Sequence, residues 1–554
     1  MTETAFNLVD EPWIRVLETD GAVQEVSLRD ALLRAHTFSD LGGELQTQNI
    51  AVLRLLLAVL HTVFSRVDET GVPAPLTDPN DALSRWIALW SRGSLPEEPL
   101  VQYLNEWHER FWLFHPTRPF GQSQAAREGT KCKAAKLIGE ISQSENKPRL
   151  FSSRAGWGKE RISYAEAARW LVYLNGFDDA ALKPHIPKEE REAKITPAWL
   201  GQLGLVYARG DNLFETLLLN LTLLRPDGTL WGENRPAWEQ KTPRSEELRT
   251  IPLPDNQAEL LTLQSRLIWL MREDSQVTEY GILCGDSFSP QNALSEQMTA
   301  WTKVEKKNEP LYYIPRPHEP GRQMWRDFSN LFALNRSKSA DCAPGIVRWV
   351  ARLQKHRCLS KKRYVQFAAV CNRYDSSQKS AVTDALGDML TMHTALLGEL
   401  GTAWQNRIEA EIAKCEEAAK EIGLLASRID VAGGGDIGSA GKKKQNDRQK
   451  RVKQIAQEKW YEQIDEPFRR WLYAIEPENH AVDEKKMAEW TANARRLALH
   501  TGWTYMENAG TDALFGKTVV EDQKTGKKQI YAAPRAYSWF RKRIYEIYQG
   551  RETT

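Results

Sequence analysis

Beyond residue 380 proline nearly disappears, and apolar residues recur at Val382, Leu386, Met389, Leu390, Leu396, Leu397, Leu400, Trp404, Ile408, Ile412 and Cys415. Steps of three and four place such residues along one stripe of a helix. Val452 to Ile475, Val482 to Thr501 and Arg535 to Tyr548 repeat the pattern, with Gly433 to Gly441 and the lysines after it as a flexible connection. Four long helices that each bury one stripe pack most simply as a four-helix bundle. Residues 1–380 read differently, because Pro- and Gly-punctuated segments such as Phe114 to Gly121 and Pro226 to Pro236 separate short β-prone and helical runs. The expected fold class is α+β. An irregular mixed N-terminal domain, 1–380, precedes an all-α C-terminal four-helix bundle, 381–554.

Local signals start at the N-terminus. Trp13 to Leu17 and Val23 to Val26 flank Asp20-Gly21, which supplies the positive φ of a hairpin turn. Ser27-Leu28-Arg29-Asp30 then reads as a capping box opening a short helix. Further helices are expected over Asn49 to Ser65, Tyr164 to Leu174 and Asn212 to Leu224. Ile50 to Phe64 is too short for a bilayer and is interrupted by Arg54 and His61, so a buried helix is expected and no membrane partner. The acidic Met1 to Pro12 segment lacks a secretory pattern, and the six cysteines contain no C-x-x-C pair, which fits a reducing cytoplasm. The 20 tryptophans outnumber the 16 tyrosines, and each buried indole N–H needs an acceptor.

Signs of catalysis are sparse. The ten histidines form no H-E-x-x-H or H-x-H, and His115 and His318 sit in Pro-rich loops where a structural hydrogen bond is the simpler role. Gly433, Gly435 and Gly438 satisfy G-x-G-x-x-G but follow a helical run rather than a strand. Gly441-Lys442 resembles the end of a phosphate-binding loop, yet Asp436 replaces its first glycine and Lys443 its Ser or Thr. No metal, cofactor or enzymatic activity is expected. The alternatives are a metal-dependent nuclease with dispersed carboxylates and an RNA-binding scaffold without DNA contact.

The net charge of +2 hides a segregated distribution. Arg127 to Arg161 carries +5, Arg336 to Arg363 carries +8 and Lys442 to Lys453 carries +6, leaving −17 for the remainder. Local positive charge is what phosphate neutralisation requires; the bland alternative is solvated faces. Arg348, Arg352 and Lys355 fall on one helical face, where they would position DNA rather than read it. Tyr364 to Val370 is β-prone and Tyr374 to Lys379 turn-like, so Gln378 beside Lys379 is expected at a hairpin tip, either entering a groove or simply exposed.

The chain resembles the CasA family, the large subunit of the type I-E CRISPR surveillance complex called Cascade. Short blocks in order carry the resemblance: Phe6 to Ile14, Phe111-Trp112-Leu113-Phe114, Pro119-Phe120-Gly121-Gln122, Ala165-Glu166-Ala167-Ala168-Arg169, Leu213 to Asn220 and Met324-Trp325-Arg326-Asp327. The resemblance implies a non-catalytic protein that recognises a protospacer-adjacent motif in double-stranded target DNA and promotes strand opening and R-loop formation. Its implied partners are the other Cascade subunits, the 5′ handle of the CRISPR guide RNA and a recruited nuclease-helicase. Gln378 matches the family's wedge, with Ser377 and Lys379 flanking the duplex. Phe151 matches an aromatic that touches the guide's 5′ handle, with Lys147, Arg149 and Arg154 around it; it could equally anchor its loop in the core. Only Gly201 and Gly204 stand for the family's glycine-rich loop, which places a backbone approach to DNA near Trp199 to Gly201. Tyr280 to Phe288 contains no lysine to serve as the family's lysine finger, which leaves the preferred motif open.

Overall fold

The Asp20-Gly21 turn forms as expected. Gly21 has φ +88°, and the strands Ile14–Leu17 and Val23–Val26 pair antiparallel on either side of it. Ser27 caps the Leu28–Leu33 helix by accepting from the Asp30 N–H, and its own hydroxyl donates to the Asp30 carboxylate at 3.0 Å. The computed structural model describes residues 4–143, 152–181, 183–184, 196–243, 250–334, 342–360, 362–374, 382–434, 442–477, 482–522 and 527–549. The chain divides into two compact units, Met1–Leu390 and Thr391–Thr554.

The first unit mixes helices with small sheets around the Gln46–Arg66 helix, which is buried on every side from Ile50 to Phe64. It is long and apolar enough to pass for a membrane span, but 94% of its most apolar window is buried inside the protein. Its two polar interruptions are accommodated differently. Arg54 meets Glu296 with two hydrogen bonds of 2.9 and 3.0 Å, both side chains being almost fully buried. His61 stays neutral, because burial pushes its pKa down to about 3.

The blocks that carry the resemblance act here as polar pins between segments remote in sequence. Arg169 donates to the Trp13 carbonyl and to Glu25, both at 2.8 Å, and to Glu44 at 2.7 Å. Gln122 donates to the Leu113 carbonyl at 2.6 Å and accepts from the Leu270 N–H at 2.9 Å. Asn220 mimics a neighbouring strand: its amide accepts from the Ala208 N–H at 3.0 Å and donates to the Ala208 carbonyl at 2.6 Å. Because Asn220 is fixed there, the helix beginning at Leu213 ends at that residue, short of the expected Leu224.

Leu205–Arg209, Tyr364–Tyr374 and Val382–His393 make a three-stranded sheet, with Tyr364–Tyr374 in the centre. This corrects the helical reading of the segment after Val382. Leu390 and Met392 are buried, while Met389 is 42% exposed and Thr391 between them is half-buried, a period of two. The apolar spacing fitted both periods, and pairing with the preceding strand decides between them. The expected boundary at residue 380 therefore falls inside a hairpin, and the units divide at its far end.

Among the described residues the second unit contains four long helices, Thr402–Ala432, Lys442–Tyr473, Glu484–Glu507 and Ala533–Gln549; the last three lie where the apolar stripes place them, whereas the first begins at Thr402, well after the expected Val382. Its core is rich in tryptophan, with the Trp460 and Trp490 indoles satisfied and the buried Trp471 N–H left without a partner. Trp460 donates to the Cys415 carbonyl and Trp490 to Glu411, each at 3.0 Å, and Trp471 stacks on Trp490 at 4.9 Å. Two expectations change. The lysines from Lys442 onward open a helix instead of extending the connection, and the region is not purely helical, since Lys517–Asp522 and Lys527–Tyr531 form an antiparallel hairpin.

Candidate nucleic-acid interface

Strand Tyr364–Tyr374 leads toward residues 375–381, and strand Val382–His393 returns from them. Gln378, Ser377 and Lys379 thus belong to the connection between hydrogen-bonded neighbours, as the sequence implies, but they lie outside the described residues. The stem beneath them is well defined. Phe367, Val370 and Cys371 are buried, and burial pushes the Cys371 thiol up to about 11. Asn372 donates to the Tyr173 hydroxyl at 2.9 Å, and the Tyr374 hydroxyl donates to the Phe177 carbonyl at 2.8 Å. His318 contacts the Leu205 carbonyl at 3.0 Å on the third strand, and its pKa is lowered by burial, so its role is structural.

Trp199 and Gly201 support this stem and do not form an open DNA-facing loop. The Trp199 indole is 5% exposed, donates to Glu296 at 2.9 Å and packs on Phe288 at 4.6 Å. A Cβ on Gly201 would come 2.2 Å from the Tyr374 hydroxyl oxygen, so glycine is required there by the close approach of that ring.

The basic helix is Gly345–Lys355, with Ile346, Val347, Trp349, Val350 and Leu353 buried. Arg348, Arg352 and Lys355 all lie on it, but their environments differ. Arg352 donates to the carbonyls of Arg225 and Pro226 at 2.9 and 2.8 Å, which commits it to bracing a loop. Arg348 is half-buried and lines a cavity of about 660 Å³. Lys355 is exposed. The expected face of three equivalent cations is therefore reduced.

Of the proposed RNA contacts, Phe151, Lys147 and Arg149 lie outside the described residues. Arg154 is described, and its guanidinium is spoken for: it meets Glu140 at 3.0 Å and also Glu166. Burial works against its charge, yet the two carboxylates outweigh burial and raise its pKa. Much of the first basic run is compensated in the same way, through Lys133 with Glu279 at 2.6 Å, Lys136 with Asp179, and Arg161 with Glu273 and Asp274.

A family model described as CRISPR-associated protein Cse1 matches residues 7–501. The chain belongs to the Cse1 family. CasA/Cse1 of Thermus thermophilus is 33% identical over 338 residues, covering 60% of this chain and 62% of that protein, so the match spans less than two thirds of the curated relative. The crystal structure of Thermobifida fusca Cse1 is similar over 98% of both chains, with 27% identity and a TM-score of 0.80. A chain from a structure titled CRISPR RNA-guided surveillance complex shares the fold at 17% identity and TM-score 0.63, over 98% of this chain and 100% of that one.

Two cations of this Cse1-family chain were not singled out by the sequence reading. Arg357 and Lys362 are exposed between the basic helix and the hairpin strand, and neither forms an ion pair among the described residues. Arg357 has φ +60°, with the Cys358 N–H donating to the Leu353 carbonyl at 2.8 Å and the Arg357 N–H to Gln354 at 3.1 Å. That is a helix terminus usually closed by glycine. An arginine in place of the glycine that terminus favours is a local signal visible in hindsight. Among the described residues, no group of three or more His, Cys, Asp or Glu side chains is placed to hold a metal ion.

Proposed function

We propose that this chain is the large subunit of a type I-E guide-RNA surveillance complex, acting in the cytoplasm without a cofactor and without cutting DNA itself. It recognises a short motif in duplex DNA, inserts a polar hairpin tip beside it and promotes strand opening and R-loop formation. The guide RNA then reads the long sequence by base pairing. Phe151, with Lys147 and Arg149, contacts the guide's 5′ handle; the second unit, read as a four-helix bundle, engages the displaced strand and offers a surface to the recruited nuclease-helicase.

The observation that carries this reading is the braced hairpin stem. A wedge that unstacks base pairs works against a few kcal/mol and so needs a rigid mount. Asn372 and Tyr374 supply one by tying the stem to the Tyr164–Phe177 helix. Exposed Lys355, Arg357 and Lys362 supply phosphate attraction close in sequence to the same strand. The test is R-loop formation by the reconstituted complex at limiting protein. Gln378→Ala is expected to lower it about tenfold, or roughly 1.4 kcal/mol, at unchanged thermal stability; wild-type R-loop yield would reject the wedge. Phe151→Ala is expected to reduce retention on immobilised guide-loaded complex, and equal retention would reject the handle contact.

A further inference from the structure

Trp157 is the most exposed tryptophan among the described residues, with 72% of its surface in solvent. It opens the single helical turn Trp157–Glu160 and stands between two glycines. Gly156 has φ +50°, a backbone conformation that favours glycine. Gly158 has no such reason: its φ is ordinary, it lies within the turn, and a Cβ there would meet nothing within 4 Å. Alanine at that position would favour the turn. The chain instead leaves bare, exposed backbone on both sides of the ring, which lets another main chain come close.

The two faces of the indole differ. The Arg161 guanidinium lies over one at 5.0 Å, and the exposure of the residue leaves the other open. Carboxylates stand around it. Ile162 and Val277 exchange hydrogen bonds of 3.1 and 2.9 Å, which brings the turn of the Arg266–Glu273 and Gln276–Cys284 hairpin alongside. Glu273 and Asp274 on that turn are exposed and lie 3.7 and 3.6 Å from Arg161, beyond hydrogen-bond reach, so their oxygens can still accept. Glu160 is exposed and makes no ion pair among the described residues. A nucleic-acid strand could stack a base on the ring but would bring its phosphates against three carboxylates. A guanidinium suits both features, since its flat face stacks on an indole and its fork matches a carboxylate.

We propose that Trp157 is a docking point for another protein subunit of the surveillance complex, which lays an arginine over the open face of the indole and pairs its guanidinium with Asp274. Glu160 and Glu273 form the acidic rim of the contact, and Gly158 admits the partner's main chain. The proposal rests on the reading of this chain as a subunit of that assembly, and on neither the wedge nor the guide-handle contact.

The test is the affinity of the full chain for immobilised guide-loaded complex that lacks it. Trp157→Ala is expected to weaken binding about tenfold, and Glu160→Gln with Asp274→Asn by a similar factor. All three positions are exposed, so the thermal midpoint should not move. Benzoylphenylalanine placed at position 157 should photo-crosslink to an arginine-bearing peptide of a protein subunit. Tighter binding once the carboxylates are neutralised would point to phosphates and overturn the proposal. A crosslink to RNA or to this chain's own residues, or none at all, would do the same. Wild-type affinity in both variants would overturn it and leave the assembly reading standing, whereas no binding by the wild-type chain would remove both.

Discussion

Tyr374 donates its hydroxyl proton to the Phe177 carbonyl at 2.8 Å, and the same oxygen would lie 2.2 Å from any Cβ placed on Gly201. Helix end, glycine and strand are thereby locked together one residue before the tip begins. Tyr374→Phe removes the bond while keeping the ring, and should cost about 1 kcal/mol. Hydrogen exchange of the Tyr364–Tyr374 amides should accelerate and R-loop yield should fall with it. Faster exchange with undiminished R-loop yield would separate the brace from the function.

Arg357 at φ +60° offers a test in which stability and binding move in opposite directions. Arg357→Gly relieves the left-handed backbone and should raise stability by up to about 1 kcal/mol, read as a higher thermal midpoint. If this cation meets phosphate, the salt dependence of duplex binding should lose about one unit of slope, with weakening uniform across sequences. A variant that is more stable and binds unchanged would remove Arg357 from the interface.

His61 predicts acid sensitivity. Its pKa is about 3 in the folded chain against an ordinary 6.5, so the unfolded chain takes up the proton first as pH falls. The stability contribution is complete above pH 6.5 and is lost as the pH drops toward 3. At pH 5 the loss should be about 2 kcal/mol. His61→Phe, beside a cavity of about 390 Å³, should flatten the denaturant midpoint between pH 7 and pH 5. An equal slope in both proteins would show that other groups set it.

Glu296 predicts a loss at lower pH still. Burial alone would raise its pKa, but Arg54, the Met298 N–H and the Trp199 indole hold it below the usual carboxylate value. Its contribution is therefore present above about pH 4.5 and lost on further acidification. Glu296→Gln leaves Arg54 charged and buried, and should destabilise the first unit by about 3–5 kcal/mol in equilibrium unfolding. Because Trp199 shares this carboxylate, its fluorescence should change in the same variant.

Local chemistry was legible in the sequence wherever neighbours decide the outcome. The Asp20-Gly21 turn, the Ser27 cap and the last three helical stripes depend on residues a few positions apart. The strand after Val382 was not, because its apolar spacing suited two periods and only pairing chose one. The fate of the cations was also hidden. Arg352 ends on carbonyls more than a hundred residues earlier, and Arg154 on two carboxylates that only the loop's path brings near. A count of charges along the chain therefore overstates the field, and the exposed Arg357 and Lys362 carry more of it than Arg352 does.

Asn220 occupies the outward-facing groups of Ala208, and the Val206 N–H is taken by the Met298 carbonyl. The rim of the hairpin's sheet on that side is thus sealed by its own chain. An open rim would invite a second molecule to add a strand and start an aggregate. With those groups already satisfied, crowded copies gain nothing by zipping together there.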